Sequence, residues 1–304
     1  MSAAAPMFVS WSCTTRCNLR CAHCYVDVKG PEARGGEVDT ERAKAFIDDL
    51  AASDVYLLSF GGAEPMLRED FFDLAAHARS RGLTIVSCTN GILIRDDETV
   101  VRLKDVGFRS FQISLDGSVA DVHEALRGRG SFQPAVEAIA RCTRGGLPVT
   151  VAIAVHEQNL HDLEDIVALA QRLGAASVKV QPVLQPGHRL SGPKAGLPLV
   201  RAMEACARVK RKLEGSSVRV VSSLWAGTAQ GSATEVDCSN GFQQAIVFED
   251  GSVGVCEGEA GVGSAFDGRF VESWQAAVAR RLAARRCACS PIIERARQAL
   301  PLAG

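Results

Sequence analysis

The strongest constraint on the fold of this chain is an alternation of short β-like segments with amphipathic helical segments over its first two-thirds. Six β-then-α pairs follow one another. Such a series predicts a parallel sheet with helices packed outside it. Six units fall short of the eight that close a barrel. We therefore predict an α/β fold, a partial (β/α)6 barrel of the TIM type that is open on one side.

The apolar periodicity sets the bounds of these elements. Ala43, Phe46, Ile47 and Leu50 share one face of the first helix, and Asp39 can cap it. The predicted strands span residues 8–13, 55–60, 83–88, 108–115, 149–155 and 177–183. The predicted helices span residues 39–52, 69–81, 97–106, 132–144, 160–173 and 199–213. In barrels of this type, active sites lie at the carboxyl ends of the strands.

The alternation stops near residue 217, which predicts a barrel over residues 1–216 and a smaller C-terminal region over residues 217–304. Residues 226–237 are rich in Gly, Ser and Thr and predict a loop. Two β-like segments, 244–249 and 252–256, flank an Asp-Gly pair, which is typical of a hairpin turn. A helix is predicted over residues 270–286. The C-terminal region is therefore expected to be a small hairpin-and-helix extension.

Composition excludes some classes of function. The chain has 304 residues and a formal net charge of −1, so no global positive field attracts nucleic acid or an anionic membrane. The first residues lack the basic and apolar pattern of a signal peptide, and no apolar run is long enough to span a membrane. Eleven cysteines without a secretory signal indicate metal ligands and reduced thiols, hence a cytoplasmic protein.

Three of these cysteines lie close together directly after the first predicted strand. Cys17, Cys21 and Cys24 are separated by three and then two residues. A zinc site or an ordinary ferredoxin site needs four ligands, which this loop alone does not supply. Three thiolates instead suit a 4Fe–4S cluster with one open iron. A structural metal knuckle is the alternative.

The segment Cys-Asn-Leu-Arg-Cys-Ala-His-Cys-Tyr at residues 17–25 resembles the cysteine motif of the radical S-adenosylmethionine superfamily. The resemblance implies that the open iron binds S-adenosylmethionine (SAM) and that its cleavage yields a 5′-deoxyadenosyl radical. Residues 61–65, Gly-Gly-Ala-Glu-Pro, resemble the family motif that contacts the amino group of SAM, with Ala63 as an extra residue. By this resemblance Gly61 and Gly62 let the backbone approach the cofactor, and Glu64 accepts a hydrogen bond from its ammonium group.

Further polar residues at the predicted strand ends resemble other cofactor contacts of the family. Asn90, Ser114 and Asp116 resemble positions near the ribose, and Arg127 resembles a basic residue near the carboxylate. His23 and Tyr25 flank Cys24 and are expected near the adenine, and packing within the loop is an equal alternative for His23. Taken singly, each polar residue is equally well explained as a strand-end cap or turn former.

Four cysteines in the C-terminal region form a second candidate site. Cys238, Cys256, Cys287 and Cys289 resemble the SPASM and shorter Twitch extensions of the family, which hold auxiliary 4Fe–4S clusters. Four thiolates suffice for one such cluster. The family pattern has two residues between its last cysteines, whereas this chain has one. A zinc ribbon or uncoordinated thiols are the alternatives.

The remaining cysteines are mostly expected in the core. Cys142 and Cys206 fall in predicted helices and read as small buried residues. Cys88 and Asn90 are two residues apart along the third predicted strand and its end, so their side chains point to the same face. Cys88 is therefore expected to face the barrel interior. Cys88 is therefore a candidate hydrogen-atom donor, although an inert buried thiol is the preferred interpretation of it. Cys256 is a second candidate donor if it is not a cluster ligand.

The resemblance implies an enzyme that abstracts hydrogen from an unactivated C–H bond, with flavodoxin or ferredoxin as electron donor. Peptide-modifying relatives often carry an additional N-terminal domain, and here the first strand begins near Phe8. This favours a small polar substrate of the aminoglycoside or amino-sugar type, whose carbinol carbon is epimerised or dehydrogenated. The alternatives are a maturase that crosslinks or epimerises a ribosomally made peptide and, from another class, a non-catalytic iron–sulfur or zinc protein.

Overall fold

The computed structural model of the chain describes residues 5–24, 26–33, 36–183, 197, 199–216, 218–222, 243–256 and 260–284. Nine strands lie in these ranges: β1 (Phe8–Thr14), β2 (Leu57–Gly62), β3 (Thr84–Thr89), β4 (Ser110–Ser114), β5 (Val149–Val155), β6 (Ser177–Pro182), β7 (Arg219–Ser222), β8 (Gln244–Val247) and β9 (Val253–Gly254). The same ranges hold eight α-helices: α1 (Thr40–Ala52), α2 (Phe71–Ser80), α3 (Asp97–Val106), α4 (Ala120–Arg127), α5 (Phe132–Arg144), α6 (Leu163–Arg172), α7 (Leu199–Lys212) and α8 (Phe270–Ala284).

The strands form a single open sheet in the order β7-β6-β5-β4-β3-β2-β1-β8-β9. All neighbouring pairs run parallel except β8 and β9, which form an antiparallel hairpin. The predicted class, an open α/β barrel with helices outside a parallel sheet, is confirmed. The hairpin with its Asp-Gly turn is also confirmed, and Gly251 in that turn has a φ of 84°.

Successive side chains of each strand point to opposite faces of the sheet, and the two faces differ in polarity. On β1, Trp11 is fully buried, and the centroid of its ring lies 5.3 Å from the ring centroid of Phe46 on α1. Val9 and Cys13 share this helix-covered side, whereas Ser10 and Ser12 face the open interior of the barrel. The hydrophobic core therefore lies between the sheet and the outer helices, and the inner face carries mostly small polar residues.

The helices are largely as the sequence predicts, with one addition. Asp39 caps α1 by accepting a hydrogen bond from the Arg42 amide, and α3 and α5 have the predicted bounds. Helix α4 was not predicted. It is eight residues long and lies between β4 and α5 without a strand before α5.

The sheet continues beyond the predicted boundary at residue 217. Strand β7 pairs with β6, and β8 pairs with β1 in a parallel register that matches Phe8 with Gln244. The six strands predicted for the barrel and the two predicted for the hairpin thus join one sheet in the described residues, together with β7, which was not predicted. The hairpin that we assigned to a C-terminal extension lies directly beside the strand that leads into the cysteine loop. Among the described helices, none has the length and apolar character needed to cross a membrane.

Candidate radical and cluster site

The cysteine loop begins where β1 ends and is fixed to its surroundings by backbone hydrogen bonds. The Cys17 amide donates to the Lys29 carbonyl at 3.1 Å, and the Ala22 amide donates to the Leu126 carbonyl on α4 at 2.8 Å. At the base of the loop, the Arg16 guanidinium Nε lies 2.8 Å from a Glu37 carboxylate oxygen. Helix α4, Lys29 and Glu37 therefore hold the loop against the carboxyl edge of the sheet.

The three thiols are partly exposed on this loop, and burial raises the pKa of each of them. For Cys17 the pKa rises to about 11, and the nearby Cys21 and Cys24 contribute to the rise. A thiolate at these positions therefore needs a cation beside it, as an iron ion would supply. In the part of the chain that the structure describes, no group of three His, Cys, Asp or Glu side chains lies close enough together to hold a single metal ion. Three thiols that surround a larger cluster need not converge in this way, so the donor set fits a 4Fe–4S cluster.

A buried ion pair lies beside Cys21. The Arg127 Nε donates to the Asp116 Oδ2 at 2.5 Å, and the Arg127 Nη1 lies 3.9 Å from the Cys21 Sγ. The Asp116 side chain is fully buried and also accepts a hydrogen bond from the Ala154 amide at 2.7 Å. Burial alone would raise the pKa of the Asp116 carboxyl, but the Arg127 guanidinium and His23 hold it below its ordinary value. The pair therefore remains charged and places a cation next to a candidate cluster ligand.

His23 lies on the same side of the loop. Its Nε2 is 3.6 Å from the Asp116 Oδ2, and burial lowers its pKa to about 4, so the ring is neutral at physiological pH. The buried Nδ1 has no hydrogen-bond partner among the described residues. An unsatisfied buried nitrogen is costly without a partner, which is consistent with a bound group at this position. The predicted contact of His23 with adenine stays a prediction.

Residues 61–65 pass close beneath the start of the cysteine loop. Gly62 has a φ of 96°, and a Cβ atom there would lie 2.8 Å from the Thr14 carbonyl oxygen. Only glycine allows the two backbones to approach in this way. The Ala63 and Glu64 amides then donate to the carbonyls of Thr14 and Arg16 at 3.1 and 2.9 Å. The glycines predicted to approach the cofactor therefore also join β2 to the cysteine loop.

The Glu64 carboxylate is fully buried and bonded to the protein. Its two oxygens each lie 2.9 Å from the Thr89 hydroxyl, and Oε2 also accepts from the Asn90 amide at 2.9 Å. Burial raises its pKa to about 7 despite these donors. Its observed partners are Thr89, Asn90 and the Met66 amide, and its predicted contact with the ammonium group of SAM stays a prediction.

Asn90 links this carboxylate to the cysteine loop. Its Nδ2 donates to the Asn18 Oδ1 at 2.7 Å and lies 3.8 Å from the Cys17 Sγ. Asn18, which the sequence analysis did not assign to the site, thus connects β3 with the loop. Its position between two ligand cysteines was the one available sequence signal, and that signal does not identify its partner.

Two further predicted residues lie on the inner face of the barrel. Cys88 is half-buried, and the Gln112 Nε2 lies 3.2 Å from its Sγ. Ser114 is the last residue of β4 and is partly exposed. The predicted orientation of Cys88 toward the interior therefore agrees with the structure, whereas its role as a hydrogen donor stays a prediction.

The second candidate site lies mostly outside the described residues. Tyr25, Cys238, Cys287 and Cys289 are not among them, so their predicted roles stay predictions. Cys256 follows β9 and is buried, with 8% of its surface exposed. Cys142 and Cys206 are fully buried in the core, as the sequence analysis expected.

Three cysteines on a loop at the carboxyl edge of an open parallel barrel, with Asn90 and the Arg127–Asp116 pair around them, agree with the resemblance to iron–sulfur enzymes that cleave SAM. The family model of the radical SAM superfamily matches residues 11–170, slightly more than half of the 304-residue chain. The chain therefore belongs to the radical SAM superfamily, which uses a 4Fe–4S cluster and SAM.

Curated relatives match slightly more than half of the chain. Fe-coproporphyrin III synthase of Methanosarcina barkeri is 39% identical over 164 residues, which are 54% of this chain and 40% of that protein. Mycofactocin maturase MftC of Mycolicibacterium smegmatis is 36% identical over 172 residues, which are 56% of this chain and 43% of that protein. The chain thus spans about half or less of the length of these relatives.

Solved structures show the same fold over most of the chain. SuiB of Streptococcus suis bound to the precursor peptide SuiA has a TM-score of 0.75 at 14% identity and covers 90% of this chain and 65% of that chain. The enzyme anSMEcpe with bound AdoMet and a Cp18Cys peptide has a TM-score of 0.71 at 16% identity and covers 95% of this chain and 88% of that chain. At these identities the likeness shows the fold alone.

Proposed function

We propose that this radical SAM enzyme abstracts hydrogen from an unactivated C–H bond of a ribosomally made peptide. The observation that carries the radical chemistry is the loop with Cys17, Cys21 and Cys24 at the carboxyl edge of the sheet. When bound, the cluster and SAM supply a 5′-deoxyadenosyl radical. The substrate class is supported by the similarity to mycofactocin maturase.

The chain's own residues orient and shield the cofactor in this proposal. Cys17, Cys21 and Cys24 hold the cluster, and Arg127 stabilises the negative charge of the thiolates because it lies beside Cys21. The backbone at Gly61 and Gly62 lies near enough to the loop to border the cofactor. Asn90 follows β3, Ser114 ends β4 and Asp116 lies two residues after it. These three are proposed to lie near the ribose, with His23 and Tyr25 proposed for the adenine.

The first experiment removes the three proposed ligands together. Replacing Cys17, Cys21 and Cys24 with Ala should abolish 5′-deoxyadenosine formation under dithionite. The variant Cys142→Ala is the matched control, because Cys142 is a fully buried cysteine of α5 that lies away from the loop. Continued formation of 5′-deoxyadenosine by the triple variant would contradict the proposal.

We also propose one auxiliary 4Fe–4S cluster on Cys238, Cys256, Cys287 and Cys289. The support is the resemblance of these cysteines to Twitch and SPASM patterns and the position of Cys256 at the end of the hairpin. Anaerobically reconstituted wild type should then hold about eight irons and the triple Ala variant about four, if both clusters are cubanes. Zinc in this region, with no iron in the triple variant, would show a zinc site instead.

The group that quenches the substrate radical decides whether the substrate carbon is inverted or oxidised. If the reaction inverts a stereocentre, the hydrogen atom returned to the substrate radical comes from the thiol of Cys88, or from that of Cys256 if Cys256 is not a cluster ligand. If the reaction oxidises or crosslinks the substrate, the auxiliary cluster takes up the electron. In heavy water, inversion introduces one deuterium at the inverted carbon, whereas oxidation to a ketone gives a product two mass units lighter.

A tetrapyrrole is the second candidate substrate, because Fe-coproporphyrin III synthase and AdoMet-dependent heme synthase of Methanosarcina barkeri are 39% and 33% identical to the matched region. The amino-sugar substrate expected from the sequence has no such support among these relatives and stays a prediction. Testing a peptide, a tetrapyrrole and an amino sugar for substrate-stimulated 5′-deoxyadenosine formation separates the three.

The electron donor and the compartment complete the proposal. Reduction of the cluster needs a low-potential donor, and flavodoxin or ferredoxin has the required chemistry. The eleven cysteines favour the reducing cytoplasm as the compartment.

A further inference from the structure

The nine strands of the sheet contain two charged residues, and both are cations. Lys179 lies on β6 and Arg219 on β7, while the other strand positions are apolar or neutral and polar. No carboxylate occurs on any described strand. The charge on this sheet is therefore entirely positive and is confined to two adjacent strands.

Both cations lie on the inner face of the barrel. Val178 and Val180 are fully buried in the core on the helix-covered side, so Lys179 between them faces the interior. Arg219 is paired with Ser177, which has the same parity as Lys179, and Arg219 is exposed. The two cations are thus diagonal neighbours on one concave surface, at a spacing of about 7–8 Å between such positions.

The strand register connects this pair to the radical site. Ser114 is paired with Ala152, and Ala152 is paired with Lys179, so these three residues form one row across the sheet. With about 4.8 Å between neighbouring strands, Lys179 lies about 10 Å from Ser114. Ala152 between them has a side chain too small to fill the gap. A substrate that lies beside the proposed ribose site of the cofactor can therefore extend over Ala152 to the lysine.

Neither cation has an ion-pair or hydrogen-bond partner among the described residues. Lys179 is half-buried, and no carboxylate lies beside its ammonium group in the described part of the chain. An inward-facing cation without a partner can bind an anionic ligand by a charge-assisted hydrogen bond. Charges facing inward can also protect a sheet edge from aggregation. This explains Arg219 on the edge strand β7, but it does not explain Lys179, because β6 is covered on both sides.

We infer that Lys179, with Arg219 beside it, forms a binding site for a carboxylate group of the substrate on the inner face of the barrel. The inference rests on the proposed function in so far as the inner face is the substrate site. The carboxylate belongs either to a tetrapyrrole side chain or to a peptide. Both sources present the same planar anion to the two cations, so the experiment has one arm for each.

The test measures binding to the cluster-loaded enzyme with SAM present. The probes are coproporphyrin III and its tetramethyl ester in one arm, and an acetylated tripeptide with a free or an amidated C-terminus in the other. Wild type should bind the acid of one pair about tenfold or more tightly than its neutral partner, because a charge-assisted hydrogen bond is lost in the neutral form. The arm that shows this preference identifies the source of the carboxylate.

Lys179→Met should remove that preference and leave the affinity for the neutral probe unchanged, while Lys179→Arg should restore it. Lys212→Met is the matched control, because Lys212 is exposed at the end of α7, and this variant should bind like wild type. Equal binding of acid and neutral probes by wild type, or an undiminished preference in Lys179→Met, would overturn the inference. Binding of neither acid would also overturn it.

The proposed function fails on a different measurement. If cluster-loaded wild type forms no 5′-deoxyadenosine under dithionite, the radical chemistry is wrong even where Lys179 binds the carboxylate. Conversely, 5′-deoxyadenosine formation without a carboxylate preference leaves the proposed function standing and removes the carboxylate site.

Discussion

Removing the charge of Asp116 should destabilise the protein strongly, because it leaves the Arg127 guanidinium buried without a counter-ion. The two side chains are 0% and 11% exposed and meet at 2.5 Å. Breaking a buried ion pair by removing one partner costs about 3–5 kcal/mol. We therefore expect Asp116→Asn to lower the free energy of unfolding by that amount. The asparagine side chain can still accept the hydrogen bond from the Ala154 amide, so the loss of stability reports on the removed charge.

The measurement is urea unfolding of the reduced, metal-free protein, followed by circular dichroism, for both single variants and the double variant. Without the cluster, burial raises the pKa of the Cys21 thiol and keeps it neutral, so it is no counter-ion for Arg127. Asp116→Asn with Arg127→Met removes both charges, and the double variant should lie within about 2 kcal/mol of wild type. The control is Glu157→Gln. Its partner Arg201 is as close, 2.6 Å, but these side chains are 37% and 52% exposed, so the cost should stay below about 1 kcal/mol.

Two results would refute this reasoning. One is a cost for Asp116→Asn as small as that of the exposed pair, which would mean that water reaches the Arg127 guanidinium. The other is a double variant that is less stable than Asp116→Asn. The unpaired charge of Arg127 would then not be the cause of the lower free energy of unfolding.

Two further substitutions test the surroundings of the cysteine loop. Because burial raises the pKa of Glu64 from 4.5 to about 7, its contribution to stability is greatest below pH 4.5 and is lost as the pH rises through 7. The difference in unfolding free energy between wild type and Glu64→Gln should thus change by about 3 kcal/mol over this window, in favour of Glu64→Gln at high pH, and a constant difference would contradict it. Gly62→Ala should cost at least about 2 kcal/mol and reduce iron incorporation, because its Cβ meets the Thr14 carbonyl oxygen at 2.8 Å. Gly215→Ala, which has a similar φ of 75° but nothing within 4 Å, should cost only about 1 kcal/mol and leave the iron content unchanged.

Local signals explain how much of the fold could be predicted. Helix α3 has a side-chain cap at Asp96 and a left-handed Gly107 at its end, and its predicted bounds match the structure. Strand β7 was missed because it has only four residues and lies beyond the point where the alternation of strands and helices stops. The parallel pairing of β8 with β1 joins residues far apart in sequence, so no local pattern indicates it.

The candidate site was predictable to a similar extent. The cysteine spacing and residues 61–65 are local motifs, and both lie at the expected edge of the sheet. The bond from Asn90 to Asn18 and the hydrogen bond from the loop to Leu126 depend on tertiary packing. Helix α4, which supplies Leu126 and Arg127, has two buried residues and no following strand, so its apolar pattern was too short to detect.

The position of β8 beside β1 has a consequence for biosynthesis. Because β1 lies between β2 and β8, its outer edge stays unpaired until the ribosome has released residues 244–247. A nascent chain that ends at β7 exposes backbone donors and acceptors next to the three cysteines, and such an edge recruits other strands. Premature termination should therefore yield aggregates instead of a shorter working barrel, and iron loading of the loop is best timed after synthesis of the hairpin.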